Sequence, residues 1–449
     1  MHPSIIKRFF SGNKRSVTVK KNIIGSLFIK GCSILVSLML VPMTLGYVSS
    51  ELYGIWLTLS SIMVWVGFFD VGFTLGLKNK LAEAIALGDW QRGKALVSTT
   101  YFMMTLIFIP LCLLLEFAVP IINWASFLNI NPVYNEEIIQ TLHILVACFS
   151  VQMIVQVLTA VISAYQEVAL SSAFPVIGNC LSLIAIFALT KLYPPSLTAL
   201  ALAISIMPIL VLLVASVVLF HKRFKAISPE LKSVNVKYVK DLFGLGAKFF
   251  IIQIQALVLY QCTNILISNM SGPNEVTTYN ITYKYLSVAM MIFTIILGPL
   301  WPAFTDAYTK KDFGWMRNVY KKMVGVYLVS ASILIVMIAC SSFVYHIWIG
   351  NKAVIPFTMT LIVGLYMIVN TWDTLQVQLI NGIGAIKLQT VVTLIGLVLY
   401  IPLSLFLGKY LGAIGVVMSM TLITVIYAFF FTIQINKILR QKAAGIWIS

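Results

Sequence analysis

Residues 197–220 read LTALALAISIMPILVLLVASVVLF, an apolar run with no charged residue, and the basic sequence HKRFK follows at 221–225. A helix that crosses the hydrocarbon of a bilayer needs about 20 such residues. Backbone polar groups in hydrocarbon must be bonded within the protein, so a spanning segment is a helix or part of a closed barrel. Because the run is too long for a barrel strand and does not alternate, it predicts a transmembrane helix.

The same pattern recurs along the whole chain. Of the 449 residues, 60% are hydrophobic and only 10% are charged, a composition that no water-soluble fold could bury. We therefore predict an all-α integral membrane protein of about 12 transmembrane helices. The predicted spans lie at 22–47, 52–76, 96–119, 138–164, 169–190, 197–220, 243–269, 276–300, 322–348, 354–380, 387–408 and 412–436.

The net charge of +17 is also found in proteins that bind nucleic acid, but its placement here indicates membrane topology instead. Lysine and arginine cluster before the first predicted span and in alternate loops, and the intervening loops hold few of them. By the positive-inside rule, the basic loops face the cytoplasm. We therefore predict a multi-pass protein with both termini in the cytoplasm and no nucleic-acid partner.

A faint internal repeat divides the chain into halves. Glu51 opens the second predicted span and Glu275 opens the eighth, while GDWQRGK at 88–94 follows the second and KDFGWMR at 311–317 follows the eighth. Six spans in each half give both halves the same orientation, with a substrate path between them. We predict an N-lobe at 1–220 (helices 1–6), a cytoplasmic linker at 221–242 and a C-lobe at 243–449 (helices 7–12).

Polar side chains recur at helical spacing in several predicted spans. Isolated polar residues in a membrane helix usually bond to a neighbouring helix. Stripes several turns long are also typical of a water-filled cavity, which we favour here, although both interpretations stay open. The predicted cavity lining consists of Ser33, Ser37, Gln152, Gln156, Gln253, Gln261, Asn264, Asn280 and Asn370.

Two lysines lie deep inside predicted spans. Lys30 is about 12 Å from the inner end of its span at 1.5 Å per residue, and Lys284 is about as deep from the outer end of its own. A lysine at mid-membrane costs about 3 kcal/mol even on insertion scales, so it needs a partner. We predict that Lys30 and Lys284, with Lys248 as a weaker third, form a cationic site for an anion. The alternatives are a salt bridge to Asp373 or a carbonyl cap, and Lys248 could simply extend to the interface.

Two acidic residues are candidates for ion coupling or gating. Asp373 lies deep in the tenth predicted span, and Asp70 lies near the inner end of the second. The histidines and the six cysteines have no metal-ligand spacing, and the sequence contains no phosphate-binding loop. No catalytic set of residues emerges, so we expect neither an enzyme nor a cofactor.

Short motifs in the first hundred residues carry a family resemblance. They are KN at 21–22, KG at 30–31, ELYGIW at 51–56, FDVG at 69–72 and LKNKLAEA at 77–84. With the span count, they resemble the polysaccharide-transporter (Wzx-type) flippases for O-antigen or capsule repeat units. These flippases share a superfamily with multidrug-and-toxin exporters and lipid II flippases.

The resemblance implies a V-shaped fold of two six-helix lobes with pseudo-two-fold symmetry around a central cavity. It also implies alternating access that moves an undecaprenyl-diphosphate-linked oligosaccharide across the bacterial inner membrane. The implied partners are this lipid-linked oligosaccharide, membrane lipids, a glycan polymerase and a chain-length regulator. A diphosphate requires fixed cations in a low-dielectric layer, which fits Lys30, Lys284 and Lys248.

Two other classes of function fit the sequence less well. A multidrug-type exporter of small organic molecules, coupled to an ion gradient, would want buried carboxylates to bind cations. The deep charged residues are instead two lysines, Lys30 and Lys284, against Asp373. A membrane glycosyltransferase or polymerase would need acidic residues on sizeable loops, which the sequence lacks.

Overall fold

The computed structural model describes residues 14–70, 72–165, 167–242, 261–297 and 300–448, and these form helices and connecting turns without a strand. This confirms the predicted all-α class. The helices, besides the helical segment 261–271, are α1 (Lys14–Tyr47), α2 (Ser50–Val66), α3 (Phe73–Leu87), α4 (Trp90–Ala118), α5 (Trp124–Leu128), α6 (Asn135–Val155), α7 (Val157–Ala164), α8 (Val168–Leu192), α9 (Leu197–His221), α10 (Pro273–Leu297), α11 (Leu300–Thr309), α12 (Phe313–Ala339), α13 (Ser341–Ile349), α14 (Phe357–Ile383) and α15 (Lys387–Leu439).

The helices have the length and the surface of a membrane protein. Eight candidate spans among the described residues are long and apolar enough to cross a bilayer. Their outer faces carry large apolar side chains, such as Leu113, Leu114 and Phe117, which are exposed by 67%, 67% and 76%. Since leaving one such side chain in water rather than burying it costs about 1.5–3 kcal/mol, a hydrocarbon environment accounts for this surface.

The second predicted span, 52–76, is interrupted in the structure. Helix α2 ends at Val66, a 3₁₀ turn covers Gly67–Asp70, and α3 starts after Gly72, whose φ is 80°. Asp70 accepts hydrogen bonds from the backbone N–H of Thr74 (3.2 Å) and from its hydroxyl (2.6 Å). The break therefore has a local cause, because glycine supplies the left-handed turn and Asp70 satisfies a free donor at the start of α3.

Other predicted spans also differ in their boundaries. The predicted span 138–164 is divided between α6 and α7 at Gln156, and 322–348 is divided between α12 and α13 at Cys340. The predicted spans 387–408 and 412–436 are both covered by α15, which consists of two helices that meet at Gly412, where φ is 58° and ψ is −140° and the backbone is not helical. Apolar composition thus located these segments, whereas single turns determine where the helices end.

The chain forms two compact units. Unit 1 comprises Met1–Val48, Met63–Trp124 and Val133–Ile251, and unit 2 comprises Ser49–Ile62, Ala125–Pro132 and Ile252–Ser449. In unit 1, α1 packs on α8, α8 on α9, α9 on α6, and α6 on α4. In unit 2, α14 packs against α10, α11, α12 and α15. The first part of α2 and all of α5 except Trp124 belong to unit 2, although they lie in the N-terminal half of the sequence.

The sequence repeat has a structural counterpart. Asp89 caps the start of α4 by accepting a 2.9 Å hydrogen bond from the N–H of Arg92, with φ −85° and ψ 80°. Asp312 caps α12 by accepting a 2.9 Å bond from the N–H of Trp315, with φ −82° and ψ 68°. The two motifs therefore have the same structural role, each within its own unit, because each places an aspartate N-cap at the start of a long apolar helix.

Candidate functional site

Lys30 lies on the face of α1 that is opposite its most exposed apolar side chains. Phe28, Leu35 and Met39 follow one face and are exposed by 72%, 62% and 56%. At about 3.6 residues per turn, Lys30 projects from the other face of the helix. Thr44, near the C-terminal end of α1, lies on this same face and is buried. The lysine is exposed, and in the described part of the chain it forms no ion pair. Its ammonium group is therefore available to a ligand and is separated from the apolar face.

Lys284 is half-buried near the middle of α10, within unit 2. Asn280 and Ser287, one turn away on either side, continue its face of the helix. Among the ion pairs of the described residues, none joins Lys284 to Asp373 or to another acid. The salt-bridge alternative for Lys284 is therefore not realised in this structure.

Asp373 and Asp70, the two candidate acidic residues, have different surroundings. Asp373 is buried in α14, and its Oδ1 has no hydrogen-bond partner within the described ranges. Asp70 uses both carboxylate oxygens to cap α3 through Thr74. A buried polar atom without a partner costs free energy, so the carboxyl group of Asp373 does not stabilise the packing around it. The carboxylate of Asp70, in contrast, has a structural role at the start of α3.

A chain of side-chain hydrogen bonds joins three helical segments inside unit 2. The Asn264 amide donates to the Ser61 hydroxyl at 2.6 Å, and the Asn280 amide donates to Asn264 Oδ1 at 2.8 Å. We call these residues, Ser61, Asn264 and Asn280, the polar clasp. The interhelical interpretation of the polar stripes therefore describes Asn264 and Asn280 in this structure.

Further contacts next to the polar clasp join α10 to the start of α2, and the helical segment 261–271 to α5. Thr277 donates to the carbonyl of Ser50 at 2.6 Å, and Ser268 donates to the carbonyl of Leu128 at 2.8 Å. At Gly54, α2 comes so close that an added Cβ would lie 1.7 Å from the carbonyl oxygen of Pro273.

The remaining predicted lining residues have mixed surroundings. Ser33 and Ser37 on α1, Gln152 on α6 and Gln261 at the start of the helical segment 261–271 are half-buried. The Gln156 amide lies 3.0 Å from Met153 Sδ, and the buried Asn370 amide lies 3.3 Å from Met290 Sδ. Gln253, and Lys248 of the predicted anion site, lie outside the described residues.

Sequence reasoning missed the partners of the polar clasp. Ser61 and Thr277 were not among the predicted lining residues, and their contacts involve segments far apart in sequence. One signal was available in Gly54. A glycine in a helix interior costs stability, so its presence there indicates a close contact with a neighbouring segment. The motif ELYGIW at 51–56 contained this glycine, but nothing local pointed to Pro273 as its neighbour.

A family model described as polysaccharide biosynthesis protein matches residues 19–308, which is more than half of the chain. The chain belongs to this family. The match confirms the family resemblance that the motifs between 21 and 84 indicated. It places the protein among membrane proteins of the polysaccharide biosynthesis family, in agreement with the helical spans described above.

Relatives of this polysaccharide biosynthesis family member are distant but extend over most of its length. A protein of Shigella flexneri that carries the name O-antigen transporter is 22% identical over 413 residues, which cover 90% of this chain and 94% of the relative. An inward-facing multidrug resistance MATE family transporter of the MOP superfamily has a TM-score of 0.78 at 13% identity, covering 94% of this chain and 100% of that chain. The lipid II flippase MurJ in an inward closed conformation has a TM-score of 0.64 at 14% identity, covering 92% and 87%. At these identities the two solved structures show a shared fold.

Proposed function

We propose that this protein is a flippase for an undecaprenyl-diphosphate-linked oligosaccharide, such as an O-antigen or capsule repeat unit. It would move this molecule across the bacterial inner membrane by alternating access. Membership of the polysaccharide biosynthesis family supports the proposal, as does the name of the Shigella flexneri relative. The fold shared with a lipid II flippase is compatible with a large lipid-linked substrate.

The observation that carries the proposal is the presence of lysines without ion pairs inside apolar helices. Lys30 and Lys284 each lie in a helix that is long and apolar enough to span a bilayer. In the described ranges neither ammonium group has an acidic partner. Because a charge at mid-membrane is costly when it is unpaired, these residues are expected to be retained for an anionic ligand, and a diphosphate is such a ligand.

The remaining predicted groups take supporting roles in this proposal. Ser33, Ser37, Gln152 and Gln261 supply hydroxyl and amide groups for the sugars, while the lipid tail stays in the bilayer. Lobes at 1–220 and 243–449, joined by a linker at 221–242, provide the two parts that alternating access requires. The polar clasp is the outer gate, because it ties segments of the N-terminal half to helical segments of the C-terminal half within unit 2.

Asp373 is the candidate for coupling an ion to transport. Its buried Oδ1 lacks a hydrogen-bond partner within the described chain, and such a group can bind a proton or a cation during the cycle. Asp70 is the weaker candidate, since Thr74 already occupies its carboxylate. With one buried aspartate in this position, an ion-coupled exporter of small organic molecules is the second candidate function.

A gene deletion with complementation tests the proposal. We expect the deletion strain to accumulate a lipid-linked oligosaccharide on the inner leaflet and to lose surface glycan, and the wild-type gene to reverse both. Lys30→Ala or Lys284→Ala should not reverse either, at unchanged protein level in the membrane. Lys191→Ala, at the exposed end of α8, is the matched control and should complement fully.

Two results would count against the flippase. Full complementation by both lysine variants would remove the anion site. A deletion strain with normal surface glycan but raised sensitivity to organic cations would favour the exporter instead.

A further inference from the structure

The antiparallel helices α8 and α9 touch closely at one point of unit 1. A Cβ added to Gly178 would lie 2.6 Å from Cα of Pro208, and the Ser182 hydroxyl lies 3.4 Å from the carbonyl of Ile204. Alongside this contact the two helices leave grooves on their surface, one toward each end. We call them the inner groove and the outer groove, following the predicted topology.

The inner groove is entirely apolar. It has a volume of about 520 Å³, and α8 and α9 contribute side chains such as Leu170, Phe174, Ile177, Val214, Val218 and Leu219. Three of these are open to the surroundings, with Ile177, Val214 and Val218 exposed by 46%, 64% and 45%. Such a groove provides hydrocarbon contacts but no hydroxyl or amide group for a sugar.

A basic turn lies directly beyond the inner end of this groove. Leu219 lines the groove, and Lys222, Arg223 and Lys225 follow within two turns of chain. Both guanidinium nitrogens of Arg223 donate to the carboxylate of Glu167, one of them at 2.7 Å, so this positive charge is already compensated. Lys222 and Lys225 are exposed, and the described chain contains no ion pair with either.

The outer groove has a similar size but a mouth of opposite character. It has a volume of about 510 Å³ and is bordered by Tyr193, Ser196 and Thr198. At this end the Glu137 carboxylate accepts hydrogen bonds from the N–H of Leu197 (2.6 Å) and from the Ser196 hydroxyl (3.2 Å). The two grooves are similar in volume, so the basic turn at the end of one and the carboxylate at the end of the other distinguish the ligands that they can hold.

We propose that the inner groove is a binding site for one glycerophospholipid with an anionic headgroup. An acyl chain lies along the apolar groove, and the ammonium groups of Lys222 and Lys225 bind the headgroup phosphate. Basic residues next to a membrane attract anionic lipids in this way. A glycan-linked carrier is a poorer occupant, because the groove offers its sugars no polar side chain. The site is independent of the transport function proposed above.

Lipid titration of the purified full-length chain tests the site. We expect native mass spectrometry in detergent to show tighter binding of phosphatidylglycerol than of phosphatidylcholine. Lys222→Ala and Lys225→Ala should each reduce this preference about fivefold, since one lysine near an anionic headgroup contributes about 1 kcal/mol. Lys232→Ala is the matched control, because Lys232 is an exposed linker lysine away from the groove end. This variant should prefer phosphatidylglycerol over phosphatidylcholine as strongly as the wild type does.

Groove-filling variants test the position of the acyl chain. Val214→Trp should weaken the binding of both lipids, while Leu202→Trp, in the outer groove, should leave phosphatidylglycerol binding unchanged. Equal binding of the two lipids by the wild-type protein would overturn the proposal. So would a preference for phosphatidylglycerol that survives the double variant Lys222→Ala with Lys225→Ala, in which both changed side chains are exposed. Displacement of phosphatidylglycerol by an equal concentration of undecaprenyl diphosphate would assign the groove to the carrier.

Discussion

The side-chain amide of Asn264 donates a 2.6 Å hydrogen bond to the hydroxyl of Ser61, and so connects two segments that are far apart in the sequence. Both residues are buried, and Asn280 extends the chain of bonds by one more link. Separating them without new partners would leave buried polar atoms unsatisfied. The structure shows the bonded arrangement, and opening the clasp would require water or other polar groups to replace these hydrogen bonds.

Cross-linking the clasp should stop transport. We expect Ser61→Cys with Asn264→Cys, joined by a short thiol-reactive cross-linker, to reduce flipping at least tenfold because the gate cannot open. Cys262→Ala is needed as the background, since this half-buried cysteine is close in sequence to Asn264. The measurement is flipping of lipid-linked oligosaccharide in vesicles before and after cross-linking. Either single cysteine variant is the control, and full activity of the cross-linked protein would show that the clasp is not a gate.

Charge rather than shape should determine the role of Lys30 and Lys284. We expect Lys30→Arg and Lys284→Arg to retain part of the activity that the alanine variants lose, because a positive charge is preserved although its geometry changes. Surface glycan in the complemented deletion strain is the measurement. If Lys30→Arg were as inactive as Lys30→Ala, the shape of the ammonium group would be the better explanation.

Close packing at Gly54 should make this position intolerant of any side chain. A Cβ there would lie 1.7 Å from the carbonyl oxygen of Pro273, so α2 or α10 must shift. We expect Gly54→Ala to lower stability by about 1–3 kcal/mol, as overpacked sites do. Gly325→Ala is the matched control, because no atom lies within 4 Å of its added Cβ, and we expect it to be neutral or stabilising by up to about 1 kcal/mol. Thermal unfolding in detergent measures both, and equal midpoints would contradict the predicted clash.

The repeated aspartate caps should contribute similarly to the two halves. Asp89→Ala and Asp312→Ala each remove an acceptor from a helix start, and we expect each to cost about 1 kcal/mol. Asparagine also caps well, so Asp89→Asn and Asp312→Asn should cost much less. Unfolding midpoints of the four purified variants provide the test. A loss at one cap and none at the other would argue against equivalent roles.

The predicted orientation can be tested at the C-terminus. Lys437, Arg440 and Lys442 lie near the end of the chain, and Lys437 packs 3.7 Å from the ring centroid of Trp447. The positive-inside rule places this basic end in the cytoplasm. A reporter protein fused after residue 449 should be active in its cytoplasmic form, and activity only in the periplasm would reverse the predicted topology.

Fold class and family were predictable because they depend on features that recur along the chain, namely apolar length and short sequence motifs. Apolar length identified the helical segments, and the aspartates at 89 and 312 identified the repeat before their matching cap geometry was known. Helix boundaries were less predictable, since they depend on one or two residues. A 3₁₀ turn at Gly67–Asp70 and the positive φ of Gly72 interrupt the second predicted span, and the non-helical backbone of Gly412 separates the two helices of α15.

The candidate site was only partly predictable for a different reason. Helical spacing indicates which face of a helix is polar, but not what that face meets. Asn264 was therefore assigned to a cavity lining, whereas the structure gives it Ser61 as a partner. For Lys30 the spacing was more informative, because the exposed apolar side chains Phe28 and Leu35 lie on the opposite face of α1. Its role in binding an anion stays a prediction.

The membership of α2 in two units has a consequence for dividing the gene. Residues 49–62 pack with unit 2, although they are synthesised long before the helices that receive them. A protein severed within the linker at 221–242 would therefore release an N-terminal fragment in which α2 lacks the helices of unit 2 that it packs against. The C-terminal fragment alone would lack residues 49–62, which include Gly54 and Ser61. Recovery of activity should therefore require both fragments to be made in the same cell.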